Sequence, residues 1–279
     1  MKVAYAVLEN GERMAVFING SRYLSPIREG LECLLANPNA VISNYDILSR
    51  LEMGEVKVRE LFVPVVPEKV LMPAVNFRSH ASEGRFERPP YPYFFVKTPN
   101  TLVPHNGFIE LPRGLERVDY EGEIGIVMGK RGKYIPKEKA WDYIFGFTVL
   151  NDVSYRDYQF PGIPQLGLNW VLGKDLDTGL PIGPWVVPKD EVKLPLRITT
   201  RLNGEVVQDG TTDDMIFSME ELVHYASQGI TLRPGDVIAT GTPAGVAEFT
   251  GRKYLRHGDV IEVEVTDIGI LRNYVRRRE

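Results

Sequence analysis

The sequence predicts a strand-rich α+β fold, and three observations carry that reading. Short runs of β-branched and aromatic residues recur between turn residues, 20 prolines and 26 glycines are spread among them, and helical periodicity is sparse. A doubly wound parallel sheet would instead alternate its strands regularly with long helices. At 279 residues and 43% hydrophobic content, the chain suffices for one large domain or for a principal domain with a smaller one attached.

Taken in order, KVAYAVLENGERMAVFING alternates apolar and polar residues on either side of Asn10-Gly11, a hairpin signal. Between residues 27 and 61 the spacing loosens toward helix, in IREGLECLLANPNA and NYDILSRLEMG, and PVVPEK at 64–69 reads as a proline-marked linker. The expected division is a small N-terminal domain, 1–66, followed by a larger one, 67–279. Strand signals then dominate in YPYFFVK, ERVDYEGEIGIVMG, YIFGFTVLND, PIGPWVVP, LRITTRLNGEVVQ, DVIATGTPAGV and DVIEVEV. Two helices are expected among them: SMEELVHYASQG, with Ser218 and Glu221 at capping-box spacing and Gly229 as a stop, and PKEKAWDY.

Composition narrows the function. Net charge is −4 with basic residues dispersed along the chain, so no electrostatic footprint for nucleic acid is visible, and Arg276-Arg277-Arg278 reads as a solvated tail. Cys33 is the only cysteine, which excludes an internal disulfide and a cysteine metal cluster and fits a reducing cytoplasm. The N-terminus lacks the pattern of a secretory signal, and no 18-residue apolar run occurs. The expectation is a cytoplasmic protein without a membrane or nucleic-acid partner.

DYEGEIGIVMG carries the first chemical signal. Alternation places Glu121, Glu123, Gly125 and Val127 on one face of the strand and the apolar Tyr120, Ile124, Ile126 and Met128 on the other, with the two carboxylates about 7 Å apart. The glutamate face then meets solvent, basic partners or a cation. A second apolar run, YIFGFTVLND, ends abruptly at Asn151-Asp152 and brings a third carboxylate to a strand end, where sites are often built. Three carboxylates without cysteine or a nearby histidine suit a hard divalent ion, Mg²⁺ or Mn²⁺, with Ca²⁺ as the looser option; zinc is disfavoured by ligand type. Such a site keeps positions open for a chelating 2-oxo acid or diketone enolate.

In NFRSHASEG, His80 and Glu83 stand at i, i+3, one side of a helical turn, where a carboxylate can orient an imidazole as general base. His105, His224 and His257 lie in turn and helix contexts that read as structural or solvated.

Together with PYFFVKTPNTLVPHNGFIELP, the stretch from GFTVLNDVSYRDYQ to GKDLDTGLPIGPWVV, LNGEVVQDG and TLRPGDVIATGTPAGV, these segments resemble the fumarylacetoacetate hydrolase family over roughly residues 70–279, in its acylpyruvate hydrolase and 2-hydroxyhepta-2,4-diene-1,7-dioate isomerase-like branch. The resemblance implies a mixed β-roll or distorted barrel with a small N-terminal domain, commonly assembled as a homodimer. It implies that Glu121, Glu123 and Asp152 are metal ligands and that His80 and Glu83 form a catalytic dyad on a lid. It further implies substrate contacts from Arg156 and Gln159, a charge-stabilising Lys174 and a carboxylate-binding Thr242. Where relatives often carry a serine after the lysine and a basic residue before it, this chain has Asp175 and Val171-Leu172, at positions where a substrate tail would lie.

The leading expectation is metal-dependent hydrolysis of a carbon–carbon bond in an acylpyruvate-like β-diketo acid. A metal-held enolate serves equally in decarboxylation or isomerisation of a 2-oxo diacid, of the oxaloacetate or 2-hydroxyhepta-2,4-diene-1,7-dioate type, and in dehydration of a 2-keto-3-deoxy sugar acid. The reading from another class is a non-catalytic protein that binds a keto or sugar acid through the metal.

Overall fold

The computed structural model describes residues 1–163 and 165–277, so Arg278 of the basic run lies outside the described residues. The observed fold is strand-rich α+β, built on a 12-stranded sheet, a five-stranded sheet and a two-stranded ribbon. Asn10-Gly11 does turn a hairpin: Lys2–Leu8 pairs antiparallel with Arg13–Asn19, and Gly11 takes φ +89°. The large sheet runs from Met53–Glu55 through this hairpin to Leu180–Pro188, Ile144–Asn151, Gly122–Met128, Val237–Ala239, Val70–Pro73 and finally Phe94–Lys97. Residues 1–66 thus add strands to the sheet that carries the glutamates, joined through Val3 opposite Val186.

Among the described residues no sheet closes on itself, so open sheets replace the implied barrel. The cause is visible at the two ends: Met53–Glu55 pairs only with Arg22–Pro26, and Phe94–Lys97 only with Val70–Pro73. The five-stranded sheet packs against the large one. Ile198, Val263 and Leu271 from its strands share a core with Ile124, Ile126 and Met128.

Strand Gly122–Met128 is buried along its whole length on both faces. Its Val127 side packs with Val70, Met72, Phe95 and Leu150. The glutamate face is therefore not wet, and of the three environments open to it only basic partners or a cation remain.

Helices are short. Met219–Ala226 begins with the expected capping box, Ser218 Oγ accepting from Glu221 N–H while Glu221 accepts from Ser218 N–H. PKEKAWDY forms a 3₁₀ helix, Lys137–Tyr143, rather than an α-helix. No helix among the described residues is long and apolar enough to cross a membrane.

Candidate metal centre and active site

The antiparallel register sets Gly122 opposite Asn151, and beyond that pair Asp152 N–H donates to Glu121 O at 2.8 Å. One carboxylate is thereby fixed beside two others. Ligand oxygens of Glu121, Glu123 and Asp152 all lie within 4.8 Å of one another, on residues that are 6%, 2% and 1% exposed.

Burying like charges this closely costs free energy unless cations answer them. Lys174, on the short helix Trp170–Lys174, donates to Glu121 Oε2 at 2.8 Å, Asp152 Oδ2 at 2.7 Å and Ser154 Oγ at 2.6 Å. Arg156 Nη2 donates to Glu121 Oε1 at 2.6 Å and to Asp119 Oδ2 at 2.9 Å, while Nη1 donates to Gln159 Oε1 at 2.7 Å. Lys97, fully buried, donates to the carbonyls of Val153 and Gly179, and its Nζ stands 2.7 Å from Asp152 Oδ1. That ion pair answers Asp152 Oδ1, so each oxygen of this carboxylate faces a buried ammonium.

Four buried carboxylates, counting Asp119, thus face three cations. Titration follows from this imbalance. Burial pushes Glu121 up, but Lys174 and Arg156 overcome it and hold the carboxyl far below its usual range. Burial, then Asp152 and Glu121, push Glu123 well above that range, opposed by Lys174 and by the N–H of Gly241 at 3.0 Å. Burial lowers Lys97 despite Asp152. Burial also works against charged Lys174, but Asp152 and Glu121 outweigh it and raise its pKa.

A divalent cation fits these residues: three carboxylates with oxygens within 4.8 Å of one another, a carboxyl that burial and its neighbours drive to keep a proton, and an all-oxygen ligand set call for added positive charge.

Beside the triad opens a cavity of about 270 Å³. Glu121, Arg156, Lys174, Gln159 and His80 line its polar side; Phe86, Tyr93, Trp170 and Phe249 line much of the rest. A roomier cleft of about 730 Å³ lies near Val58, Trp185 and Ile270 and contains none of these groups, so chemistry rather than size identifies the site.

His80 sits on helix Arg78–Gly84, and its Nδ1 is 2.8 Å from Glu83 Oε1. Glu83 Oε2 in turn accepts from Gly245 N–H at 2.8 Å, which anchors the dyad to the loop after Val237–Ala239. With Nδ1 occupied, Nε2 is the ring nitrogen left for chemistry. The rings of Phe86 and Phe249 pack 6.0 Å and 5.9 Å from the imidazole.

The structure brings eight of the nine sequence-derived residues to this centre. Thr242 stands behind it: its hydroxyl donates to Gly122 O and accepts from Gln208 Nε2, and it is not among the cavity-lining residues. Lys97 and Asp119 were not singled out from sequence. Asp119 adjoins the glutamates in DYEGE, so proximity could have flagged it; nothing local distinguishes Lys97 in YFFVK from a surface lysine.

Comparison with known proteins agrees with the geometry. Residues 69–276 match the profile of the fumarylacetoacetate (FAA) hydrolase C-terminal family. The chain is 36% identical over 271 residues to the oxaloacetate tautomerase YisK of Bacillus subtilis (strain 168), covering 95% of this chain and 86% of that protein. It is similar in structure to 2-hydroxyhepta-2,4-diene-1,7-dioate isomerase from Mycobacterium marinum, with a TM-score of 0.76, 28% identity and coverage of 100% of this chain and 99% of that one. It also resembles fumarylpyruvate hydrolase from Pseudomonas aeruginosa in complex with Mn²⁺ and pyruvate, with a TM-score of 0.69, 32% identity and coverage of 79% and 93%. By sequence and by fold, this chain belongs to the fumarylacetoacetate hydrolase family.

Proposed function

We propose that the protein catalyses keto–enol isomerisation of a short 2-oxo acid, of which oxaloacetate is the first to test. The carrying observation is the pairing of one oriented imidazole, His80, with the ammonium of Lys174 on the same small cavity. A base and a cation facing one substrate are what proton movement between C3 and the C2 oxygen needs. Glu121, Glu123 and Asp152 would hold Mg²⁺ or Mn²⁺, which when bound polarises the 2-oxo group.

His80 Nε2 takes a proton from C3, and the C–H electron pair becomes the C2–C3 double bond. The carbonyl pair moves onto oxygen, where Lys174 supports the charge until a proton from solvent completes the enol. Glu83 keeps the imidazole in the tautomer that accepts at Nε2 and stabilises it once charged. The aromatic rings of Phe86 and Phe249 limit water around it. Likeness to a tautomerase over nearly the whole chain favours this reading over the hydrolysis expected from sequence.

Hydrolysis of an acylpyruvate is the second reading, favoured by the same dyad, since a His–Glu pair can draw a proton from water instead of from carbon. The experiment supplies oxaloacetate enol and, in a parallel reaction, acetylpyruvate, each with Mn²⁺, and follows enol absorbance together with product mass. Faster interconversion at unchanged mass, lost in His80→Ala, supports isomerisation. Two organic fragments from acetylpyruvate support hydrolysis instead, release of CO₂ supports decarboxylation, and cation binding without turnover across such acids supports a binding protein.

A further inference from the structure

We infer that Asp119 is a positioning residue which holds Arg156 in place so that Glu121 can be given over to a cation. The inference rests on the metal-site reading above and adds a role to a side chain outside the ligand set. Asp119 is fully buried, and its carboxylate gathers donors from three separate segments. Oδ1 accepts from Tyr120 N–H at 2.8 Å and Ala247 N–H at 2.9 Å. Oδ2 accepts from Glu248 N–H at 3.1 Å, Arg156 Nε at 3.1 Å and Arg156 Nη2 at 2.9 Å.

Arg156 is itself only 3% exposed, and its two carboxylate partners are Asp119 and Glu121, bridged by the same Nη2. A buried guanidinium that loses every anionic partner is costly, because no water replaces the lost charge. With Asp119 present, Glu121 can turn its oxygens toward a cation while Arg156 stays paired. Without that charge, Glu121 becomes the sole anion for Arg156, and any cation must compete with the arginine for it. Asp119 also fixes the segment bearing Phe249, whose ring lies 5.9 Å from the Arg156 guanidinium and forms part of the wall beside His80.

The test is Mn²⁺ binding measured calorimetrically on the full chain, with thermal stability recorded in parallel. Asp119→Asn should weaken Mn²⁺ binding about tenfold, the size of coupling expected for groups in one buried network. In an Arg156→Met background the competing cation is gone, and the same Asp119→Asn change should alter the dissociation constant less than about twofold. A purely structural role for Asp119 lowers the melting temperature in both backgrounds and leaves the two affinity ratios equal; that result overturns the inference. Should Asp119→Asn not fold, nitrogen-resolved NMR of the arginine Nε–H groups in the native chain decides, with the Arg156 signal identified by its absence in Arg156→Lys. Its Nε–H should stay slow to exchange when Mg²⁺ is added, and its release to solvent overturns the inference. Wild-type protein that binds no Mn²⁺ at all defeats the metal reading instead.

Discussion

Two buried carboxylate clusters sit on the same large sheet and are built on opposite principles. Asp236, 1% exposed, precedes strand Val237–Ala239 and is fully satisfied. Its Oδ1 accepts from the N–H groups of Glu68 and Lys69, and its Oδ2 from Arg233 N–H and the Lys69 ammonium. One negative charge meets one positive charge and three backbone donors, and the cluster needs nothing more. Around Glu121, Glu123 and Asp152, with Asp119 beside them, four carboxylates face three cations, and one carboxyl is driven to hold a proton. The difference separates a carboxylate that ties two segments together from carboxylates in mutual tension, which a bound cation would relieve.

The contrast can be broken most severely by removing a member of the tense cluster. Glu123→Ala should abolish metal-supported turnover, by about 10³-fold or more, while leaving the fold intact, because it removes a carboxyl that its acidic neighbours disfavour as an anion. Steady-state rates and circular dichroism read the two effects separately. His80→Ala should lower turnover by about 10²–10⁴-fold at nearly unchanged Mn²⁺ affinity, since the imidazole belongs to the dyad rather than to the ligand set. Equal loss of affinity would move His80 into the metal site.

Asp236→Ala tests the relaxed cluster. It strands three backbone N–H groups and the lysine charge, so a cost of about 3 kcal/mol is expected in urea denaturation, with the rate per folded molecule unchanged. The smallest effect sharpens the comparison by its sign. Glu123 has a folded pKa raised above the ordinary 4.5, so its contribution to metal-free stability is fully present below that value and lost as pH rises through the folded pKa. Glu123→Gln should therefore stabilise the metal-free chain at neutral pH, by about 1 kcal/mol or more, and flatten the decline in melting temperature with rising pH. Asp236→Ala should do neither.

Much of this architecture was legible in the residues. Alternation in DYEGEIGIVMG assigned the two faces of Gly122–Met128 correctly, because strand geometry fixes side-chain direction regardless of neighbours. The capping box at Ser218 and Glu221 and the Asn10-Gly11 hairpin are local devices, and both formed as read. PKEKAWDY winds as 3₁₀ although Arg78–Gly84, of the same length, is α-helical, so length and composition alone do not separate the two. Lys97 escaped notice because its burial is created by partners 55 to 82 positions away, Asp152, Val153 and Gly179. The route from Asp119 through Arg156 to Glu121 depends likewise on folding residue 156 back onto residue 119. The edges of the sheets, and hence their failure to close, are properties of strand order that no single strand encodes.

Tension relieved by a cation has a direct calorimetric signature. Titrating Mn²⁺ into the metal-free chain at mildly acidic pH, in two buffers of different ionisation enthalpy, counts the sites and the protons released together. One site per chain, with proton release that disappears in Glu123→Gln, is the predicted result. Absence of saturable binding, or binding with the same affinity and proton count in Glu123→Gln, would contradict it.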